Sequence, residues 1–365
     1  MIQRMECTDV RPVEPVFARL VDRFLDGGVV PFIGAGVSFA ATLFSGDGQQ
    51  IACTEHMIRS LQAALGNCCK EYCGKGAASA TEDGTRSLAK LAEEYIWAQR
   101  SLGNSCPYTS LVREVLQVHK FAELGPLPAH RYIAFLAREG CIEEIMTSNY
   151  DTCLSRAFRD TFYGEWRDSL VEQIADLDSY RAHAGRRHHK ANGPMLKIYH
   201  INGCAECVQD REDKSRDAGM LEAQCATILL TEAQLQDWRQ RHWSREMLKD
   251  RLRTRSILFS GFGSPEPQVR HTVMQVIEEF SLPSRPESRQ EPDDNGTPWE
   301  HCNAPFIHAY EKDPTFEQWQ ILLEFAAANG NGLPPERSKP QPNYFTGKDL
   351  DFFQDGASRQ SYVKT

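Results

Sequence analysis

The sequence has no apolar run long enough to span a membrane, and its N-terminus contains no uninterrupted apolar core of the length that a signal peptide needs. These absences predict a soluble protein of the cytoplasm that does not associate with a membrane. The 12 cysteines are scattered along 365 residues without such a signal, so we expect reduced thiols and no disulfide framework. The hydrophobic fraction of 41% can supply a sizeable core, which argues against global disorder.

The chain also lacks the excess of positive charge that is typical of proteins that bind nucleic acids. Its formal net charge is -9 and its pI is about 5.7, so the surface as a whole repels phosphate backbones. Residues 239–255 are a local exception, with seven Lys or Arg side chains, and we interpret them as a solvated helix face or a contact with another subunit. Direct binding of nucleic acid is therefore not expected.

A complete set of zinc ligands is missing as well. Cys204 and Cys207 have the two-residue gap of half a zinc site, but no second cysteine pair lies at a matching distance and Cys225 stands alone. We therefore predict no metal ligands and no structural zinc.

What the chain does contain is an alternation of short apolar runs with segments of helical periodicity, which is typical of a parallel sheet covered on both faces. We predict an α/β fold with a Rossmann-like parallel sheet of about six strands, helices on both faces and a mainly helical insertion at about 50–125. The predicted strands are 29–33, 142–147, 196–202, 226–230, 256–260 and 304–309. The predicted helices include 54–65, 86–99, 108–120, 129–139 and 267–280.

In domain terms, residues 1–330 are predicted to form one domain, with an exposed Pro-rich loop at 281–300. Residues 331–365 are interpreted as a C-terminal tail or as the start of a further region.

Glycine follows the first predicted strand at Gly34 and Gly36, where a backbone without side chains could approach a diphosphate at the N-terminus of a following helix. Such a pair is also common in ordinary tight turns. The fingerprint GxGxxG of dinucleotide-binding dehydrogenases is incomplete, because Phe39 stands at the position of its last glycine. An ordinary hydride-transferring dehydrogenase is therefore disfavoured.

Unusual polar residues and glycines follow the other predicted strands, at the sheet edge where such folds bind ligands. Four separated segments, in this order, resemble the SIR2 (sirtuin-like) superfamily over roughly residues 14–325. They are Gly34-Ala35-Gly36-Val37-Ser38, Thr147-Ser148-Asn149-Tyr150-Asp151, His200-Ile201-Asn202-Gly203 and Gly261-Phe262-Gly263-Ser264 with Glu266-Pro267. The resemblance is closest to the bacterial SIR2-like branch that destroys NAD, often as an effector of phage defence.

The resemblance implies that NAD is bound as the substrate. Asn149 would lie beside the nicotinamide ribose and position the attacking water, and Asp151 would face the nicotinamide amide. An Asn amide can donate and accept hydrogen bonds without adding charge beside a developing oxocarbenium ion. Alternatively, Asn149 and Asp151 cap the helix predicted to begin near Thr152, and both roles can hold together. The residues implied to bind the cofactor are Gly34, Ala35, Gly36, Ser38, Ser148, Gly261, Gly263, Ser264 and Glu266.

One departure from the family concerns the base. A His normally precedes the glycine that ends the third strand, and here that position is Asn202. His200 lies two residues earlier. On a continuous strand its side chain would point to the same face as Asn202, roughly 7 Å away, so it could replace the missing His as the base by acting through a water. Alternatively, His200 is a packed sheet residue, and the protein is a weak or inactive NAD binder.

The resemblance implies an NAD hydrolase that releases nicotinamide and ADP-ribose or a cyclised product, held inactive until a homo-oligomer or an activating partner forms. A non-catalytic sensor of NAD or ADP-ribose and an NAD-dependent deacylase or ADP-ribosyltransferase are the alternatives. The Pro-Asp-Phe-Arg run of sirtuins is replaced by residues 41–46, and the zinc cysteines are incomplete. Both differences argue against a protein deacylase.

Overall fold

The computed structural model describes residues 21–43, 51, 53–73, 87–162, 170–183, 195–209, 218–236, 242–262, 266–281, 307–311, 317–318, 320–321 and 345–346. Nearly all of the predicted loop at 281–300, the predicted short helix near residues 349–353 and the cofactor candidates Gly263 and Ser264 lie outside these residues.

Seven parallel strands form a single sheet in the order β3-β4-β2-β1-β5-β6-β7. They are β1 (Val29–Ile33), β2 (Glu144–Thr147), β3 (Val171–Ile174), β4 (Leu196–His200), β5 (Ser256–Ser260), β6 (Ile307–Glu311) and β7 (Phe345–Thr346). The chain proceeds from β1 to one side of the sheet and crosses to the other side for β5. β1 and β5 therefore flank a topological switch point, where the loops diverge and leave a crevice at the carboxyl ends of the strands.

Helices cover both faces of the sheet, as predicted. On one face, Phe32 and Tyr199 pack with the helices His242–Thr254 and Pro267–Ser281 in a single apolar cluster. On the other face, Ile33 packs with the helices Pro128–Arg138 and Cys153–Asp160. Successive strand residues point to opposite faces, so a strand buried on both sides needs a continuous apolar run such as Val29–Ile33, which is buried throughout. The basic segment falls partly on helix His242–Thr254, whose apolar residues face the sheet.

A third apolar cluster belongs to the mainly helical insertion, which confirms that part of the predicted fold. Its main helices are Thr54–Cys73 and Leu88–Ser101. The single helix predicted at 108–120 is instead broken into Pro107–Ser110, a π-helical turn at Leu111–Val115 and a 3-10 helix at Val118–Glu123. Gln117 interrupts it with a left-handed backbone, φ 50°.

The strand predicted at 226–230 is wrong. These residues form a turn and an extended connection, in which Ile228 and Leu230 are buried in the helical cluster. A short apolar run indicates burial but not the partner that buries it. Conversely, β3 and β7 were not predicted, because Val171–Ile174 carries Glu172 and Gln173 and does not read as an apolar run. Among the described residues, no helix is both long and apolar enough to cross a bilayer.

The packing predicts a contrast between two phenylalanines on helices that cover the same sheet face. Phe158 is fully buried, whereas Phe135 is 44% exposed. Phe158→Ala should lower the free energy of unfolding by about 3 to 5 kcal/mol, because it leaves a cavity in the core. Phe135→Ala should lower it by less than about 1 kcal/mol. Denaturant unfolding measures both, and equal losses would contradict this packing.

Candidate functional site

A cavity of about 650 Å³ opens at the carboxyl ends of β1, β2, β4 and β5, over the switch point of the sheet. The loops that follow these four strands supply its polar residues. The helical insertion and the turn before helix Glu232–Gln236 supply an apolar wall that includes Met57, Leu88, Phe121 and Leu230. This wall was not identified from the sequence, because it depends on how the insertion folds back over the sheet edge.

The loops after β1 and β5 are in direct backbone contact. The N–H of Gly34 donates to the carbonyl of Ser260 at 2.9 Å, and the N–H of Gly36 donates to that of Gly261 at 2.8 Å. A Cβ on Gly34 would lie 2.4 Å from the Gly261 oxygen. Gly261 itself has φ +61°, and a Cβ there would lie 2.4 Å from the nitrogen of Val37. Glycine is thus required at these positions for the two loops to meet.

This contact changes the interpretation of the glycine loop. Among the described residues, Ala35, Gly36, Ser38 and Gly261 line the cavity, whereas Gly34 does not. The helix expected after the glycine loop is a four-residue 3-10 helix, Ala35–Ser38. The N–H groups of Gly34 and Gly36 already donate to the last residue of β5 and to the first residue after it, respectively.

The side chain of Asn149 is hydrogen-bonded to the segment that follows β1. Its Nδ2 donates to the carbonyl oxygen of Gly34 at 3.1 Å and to Oγ of Ser38 at 3.2 Å. Because a backbone carbonyl can only accept, the amide must present its nitrogen to Gly34. Its Oδ1 is buried and has no hydrogen-bond partner, although Asn149 lines the cavity. The amide thus keeps one neutral acceptor, Oδ1, without a partner.

His130 also belongs to the hydrogen-bond network of Asn149 and Ser38, although the sequence did not identify it as a site residue. Its Nδ1 accepts the N–H of Leu127 at 3.0 Å, so the proton of the neutral ring lies on Nε2, which donates to Oγ of Ser38 at 3.1 Å. Burial lowers the pKa of His130 and favours this neutral form. Ser38 then accepts from both His130 and Asn149. The only local signal is the place of His130 three residues into the helix after Leu127, which does not reveal a contact with Ser38.

Asp151 both lines the cavity and caps a helix. One of its carboxylate oxygens accepts the N–H of Cys153 at 2.9 Å, at the start of helix Cys153–Asp160. The capping interpretation therefore holds for Asp151, whereas the Asn149 side chain is directed to Gly34 and Ser38. His130, Asp151 and Cys153 also bring potential metal ligands within 4.8 Å of one another. Both His130 nitrogens are engaged and burial raises the pKa of the Cys153 thiol, so this cluster does not support a metal site.

The segment after β4 differs from the prediction. β4 ends at His200, and the N–H of Gly203 closes a turn onto the His200 carbonyl at 3.2 Å. Asn202 belongs to this turn, so the argument that His200 and Asn202 share a strand face is wrong. Asn202 lines the cavity, while His200 is not among the described residues that do. His200 donates from Nδ1 to the Asn149 carbonyl at 3.0 Å, and its Nε2 has no partner. Burial lowers the pKa of His200, which keeps it neutral behind Asn149.

A carboxylate, Glu266, faces the cavity beside Asn202. Its Oε2 accepts from Nδ2 of Asn202 at 3.1 Å and from Nε2 of Gln268 at 3.3 Å. A hydrogen bond from Ser148, the residue before Asn149, also reaches this carboxylate. Burial raises the pKa of Glu266 to about 7, although the hydrogen bonds from Asn202 and Ser148 oppose the shift.

The cysteines of the predicted half zinc site lie outside the cavity lining. Cys204 is buried and its thiol donates to Oε1 of Gln173 at 3.2 Å, and burial raises its pKa. Within the described ranges, Cys204, Cys207 and Cys225 do not form a cluster with metal-ligand spacing.

A family model for the SIR2-like domain matches residues 143–292. The matched segment contains Asn149, Asn202 and Glu266, whereas the glycine loop at 34–38 precedes it. A search of curated proteins found no match. Since the SIR2-like family uses NAD as its substrate, the match indicates an NAD-related activity.

The loop contact predicts opposite effects for two glycine substitutions. Gly34→Ala places a methyl group against Gly261 and should destabilise the protein by about 1 to 3 kcal/mol. Gly66 lies in helix Thr54–Cys73, and an added methyl group would meet nothing within 4 Å, so Gly66→Ala should stabilise by about 0.5 to 1 kcal/mol. Thermal unfolding of the two variants beside the wild type measures this difference. A Gly34→Ala protein as stable as Gly66→Ala would contradict the contact.

Proposed function

We propose that the protein is an NAD hydrolase, which cleaves the bond between nicotinamide and ribose and releases nicotinamide and ADP-ribose or a cyclised product. The observation that carries this proposal is the unpaired Oδ1 of Asn149, a buried neutral acceptor on a residue that lines the cavity at the switch point of the sheet. The SIR2-like match over the segment that contains Asn149 supports NAD as the substrate.

The cavity suits such a substrate. Its volume of about 650 Å³ falls within the range of about 300 to 1,000 Å³ for small-molecule sites, and its walls are mostly apolar. In the proposed complex, the diphosphate contacts Ala35, Gly36 and Ser38, and the adenosine half lies toward Gly261. The nicotinamide ribose lies beside Asn149 and the nicotinamide amide faces Asp151.

The chemistry follows from the neutrality of Asn149. Cleavage builds positive charge on the ribose as the anomeric carbon loses nicotinamide, and a water then bonds to that carbon. Oδ1 of Asn149 can accept a hydrogen bond from this water and hold it near the reacting carbon. A carbonyl dipole in this position also favours the developing positive charge without the strong ground-state interaction of a full anion.

Replacement of Asn149 tests the proposal directly. Asn149→Ala should lower the rate of nicotinamide release by about 10²- to 10³-fold, since it removes a preorganised polar contact in the transition state. Asn104→Ala is the matched control, because Asn104 uses its amide for hydrogen bonds to Gln99 and Ser110 in the helical insertion, outside the cavity lining. It should keep the wild-type rate. Chromatography of nicotinamide measures all three proteins, and an Asn149→Ala variant with full activity would refute the assignment.

The same assay separates two further possibilities. Replacement of the usual His by Asn202, with His200 outside the described cavity lining, favours the alternative of a non-catalytic NAD or ADP-ribose sensor. Tight NAD binding without nicotinamide release, even with every candidate partner present, would support that alternative. We also infer that the hydrolase is a defence effector held inactive until it forms a homo-oligomer or meets a partner. A rate per chain that rises with chain concentration would support the oligomer, and a constant rate would contradict it.

We infer that His130 is a positioning residue that acts through Ser38 on Asn149. Loss of one such hydrogen bond, worth about 1 kcal/mol, corresponds to about a fivefold change in rate. His130→Leu should therefore lower kcat about fivefold with little change in KM. His130→Gln keeps an N–H donor near the position of Nε2 and should recover most of the rate. If Leu and Gln variants of equal thermal stability have equal kcat, the contact with Ser38 has no part in positioning Asn149.

A further inference from the structure

The proposed hydrolysis needs a base but not an acid. Nicotinamide leaves NAD as a neutral molecule, so the leaving group needs no proton, whereas the attacking water must lose one. Asn202 cannot accept that proton, and His200 is buried outside the described cavity lining with its Nδ1 bonded to the Asn149 carbonyl. The described part of the cavity must therefore supply another group.

Three carboxylates line the described part of the cavity, on Asp151, Glu232 and Glu266. Asp151 already caps helix Cys153–Asp160. Glu232 begins the five-residue helix Glu232–Gln236. Glu266 contacts Asn202, the residue at the position of the missing His. It is also bonded by Ser148, the neighbour of Asn149 along the chain, which links it to the fixed Asn149 amide.

We propose that Glu266 is the general base of this site and replaces the His that the strand end lacks, an inference that rests on the proposed hydrolase. The oxygen of the water bonds to the anomeric carbon, and the bond from that carbon to nicotinamide breaks with its electron pair on the nicotinamide nitrogen. One proton of the water passes to the carboxylate of Glu266 and then to solvent. Oδ1 of Asn149 accepts a hydrogen bond from the other O–H of the same water, while Asn202 and Gln268 hold the carboxylate in place.

The electrostatics agree with this role. The pKa of Glu266, raised to about 7, lies near neutral pH, and a general base works best when its pKa is close to the working pH. The other titratable carboxylates of the described cavity lining are Asp151 and Glu232, while His130 and His200 are buried with lowered pKa values. The base acts in its ionised form, so the rate should be highest above about pH 7 and should fall as the pH decreases through that value.

Glu266→Gln tests the inference, because it removes the base and keeps the shape of the side chain. We expect kcat to fall about 10²- to 10⁴-fold, as is typical when a general base is lost. The remaining rate should not show the decrease below about pH 7, and NAD binding measured by calorimetry should stay within a few fold. Glu278→Gln is the matched control, since Glu278 is exposed on helix Pro267–Ser281 and should keep both the rate and the pH profile.

The outcomes separate the inference from the proposed function. If the wild type releases nicotinamide and Glu266→Gln has the same rate and pH profile, the role of Glu266 as the base is refuted, while the proposed hydrolase is not. Loss of NAD binding in Glu266→Gln overturns this role too, because the residue would then serve binding. A wild type that binds NAD without releasing nicotinamide at any pH, at any chain concentration and with every candidate partner present, overturns the hydrolase and the base together. If Glu266→Gln does not fold, the rate of Glu266→Asp is measured as a function of pH. This variant retains a carboxylate, so its rate should still fall at low pH, and a pH-independent rate would overturn the inference.

Discussion

The contact between the loops after β1 and β5 determines the geometry of the site at the carboxyl ends of the strands. The N–H of Gly36 donates to Gly261, and no side chain fits between these two loops. With β1 and β5 paired along their full lengths, the contact closes the base of the crevice at the switch point. The carbonyl of Gly34, oriented by this contact, then receives the Asn149 amide. A few backbone atoms thus connect the topology of the sheet to the orientation of one polar side chain.

From that carbonyl, a short series of neutral hydrogen bonds extends through Asn149 and Ser38 to His130. The N–H donors of Asn149 and His130 in this series have acceptors, whereas the amide oxygen of Asn149 has no hydrogen-bond partner. A buried acceptor without a partner costs free energy in the folded state, and a ligand that donates to it recovers that cost. A ligand that donates a hydrogen bond to the Asn149 oxygen would therefore gain free energy from this contact.

Much of this fold could be predicted from residue order alone. The apolar run Val29–Ile33 followed by glycine indicated a buried strand and its loop, and the resemblance to the SIR2 superfamily pointed to Asn149 after another strand. The contact of His130 with Ser38 could not be found, since 92 residues separate the partners and only the packing of helix Pro128–Arg138 joins them. Periodicity also failed at 226–230, where the helical insertion provides the burial expected from a sheet. Local sequence patterns indicate the buried faces and the ends of helices and strands, whereas contacts between segments distant in sequence determine the remaining tertiary structure.

Within the described lining, the cavity contains carboxylates and no Lys, Arg or His side chain. A dinucleotide with a negative diphosphate would therefore meet no opposite charge on these walls, and the net charge of -9 repels it at longer range. Capture then depends on shape and on short-range contacts, so encounter is not accelerated by electrostatic steering. Salt would screen a repulsion and not an attraction, and added electrolyte would favour association where most phosphate-binding proteins are weakened by it.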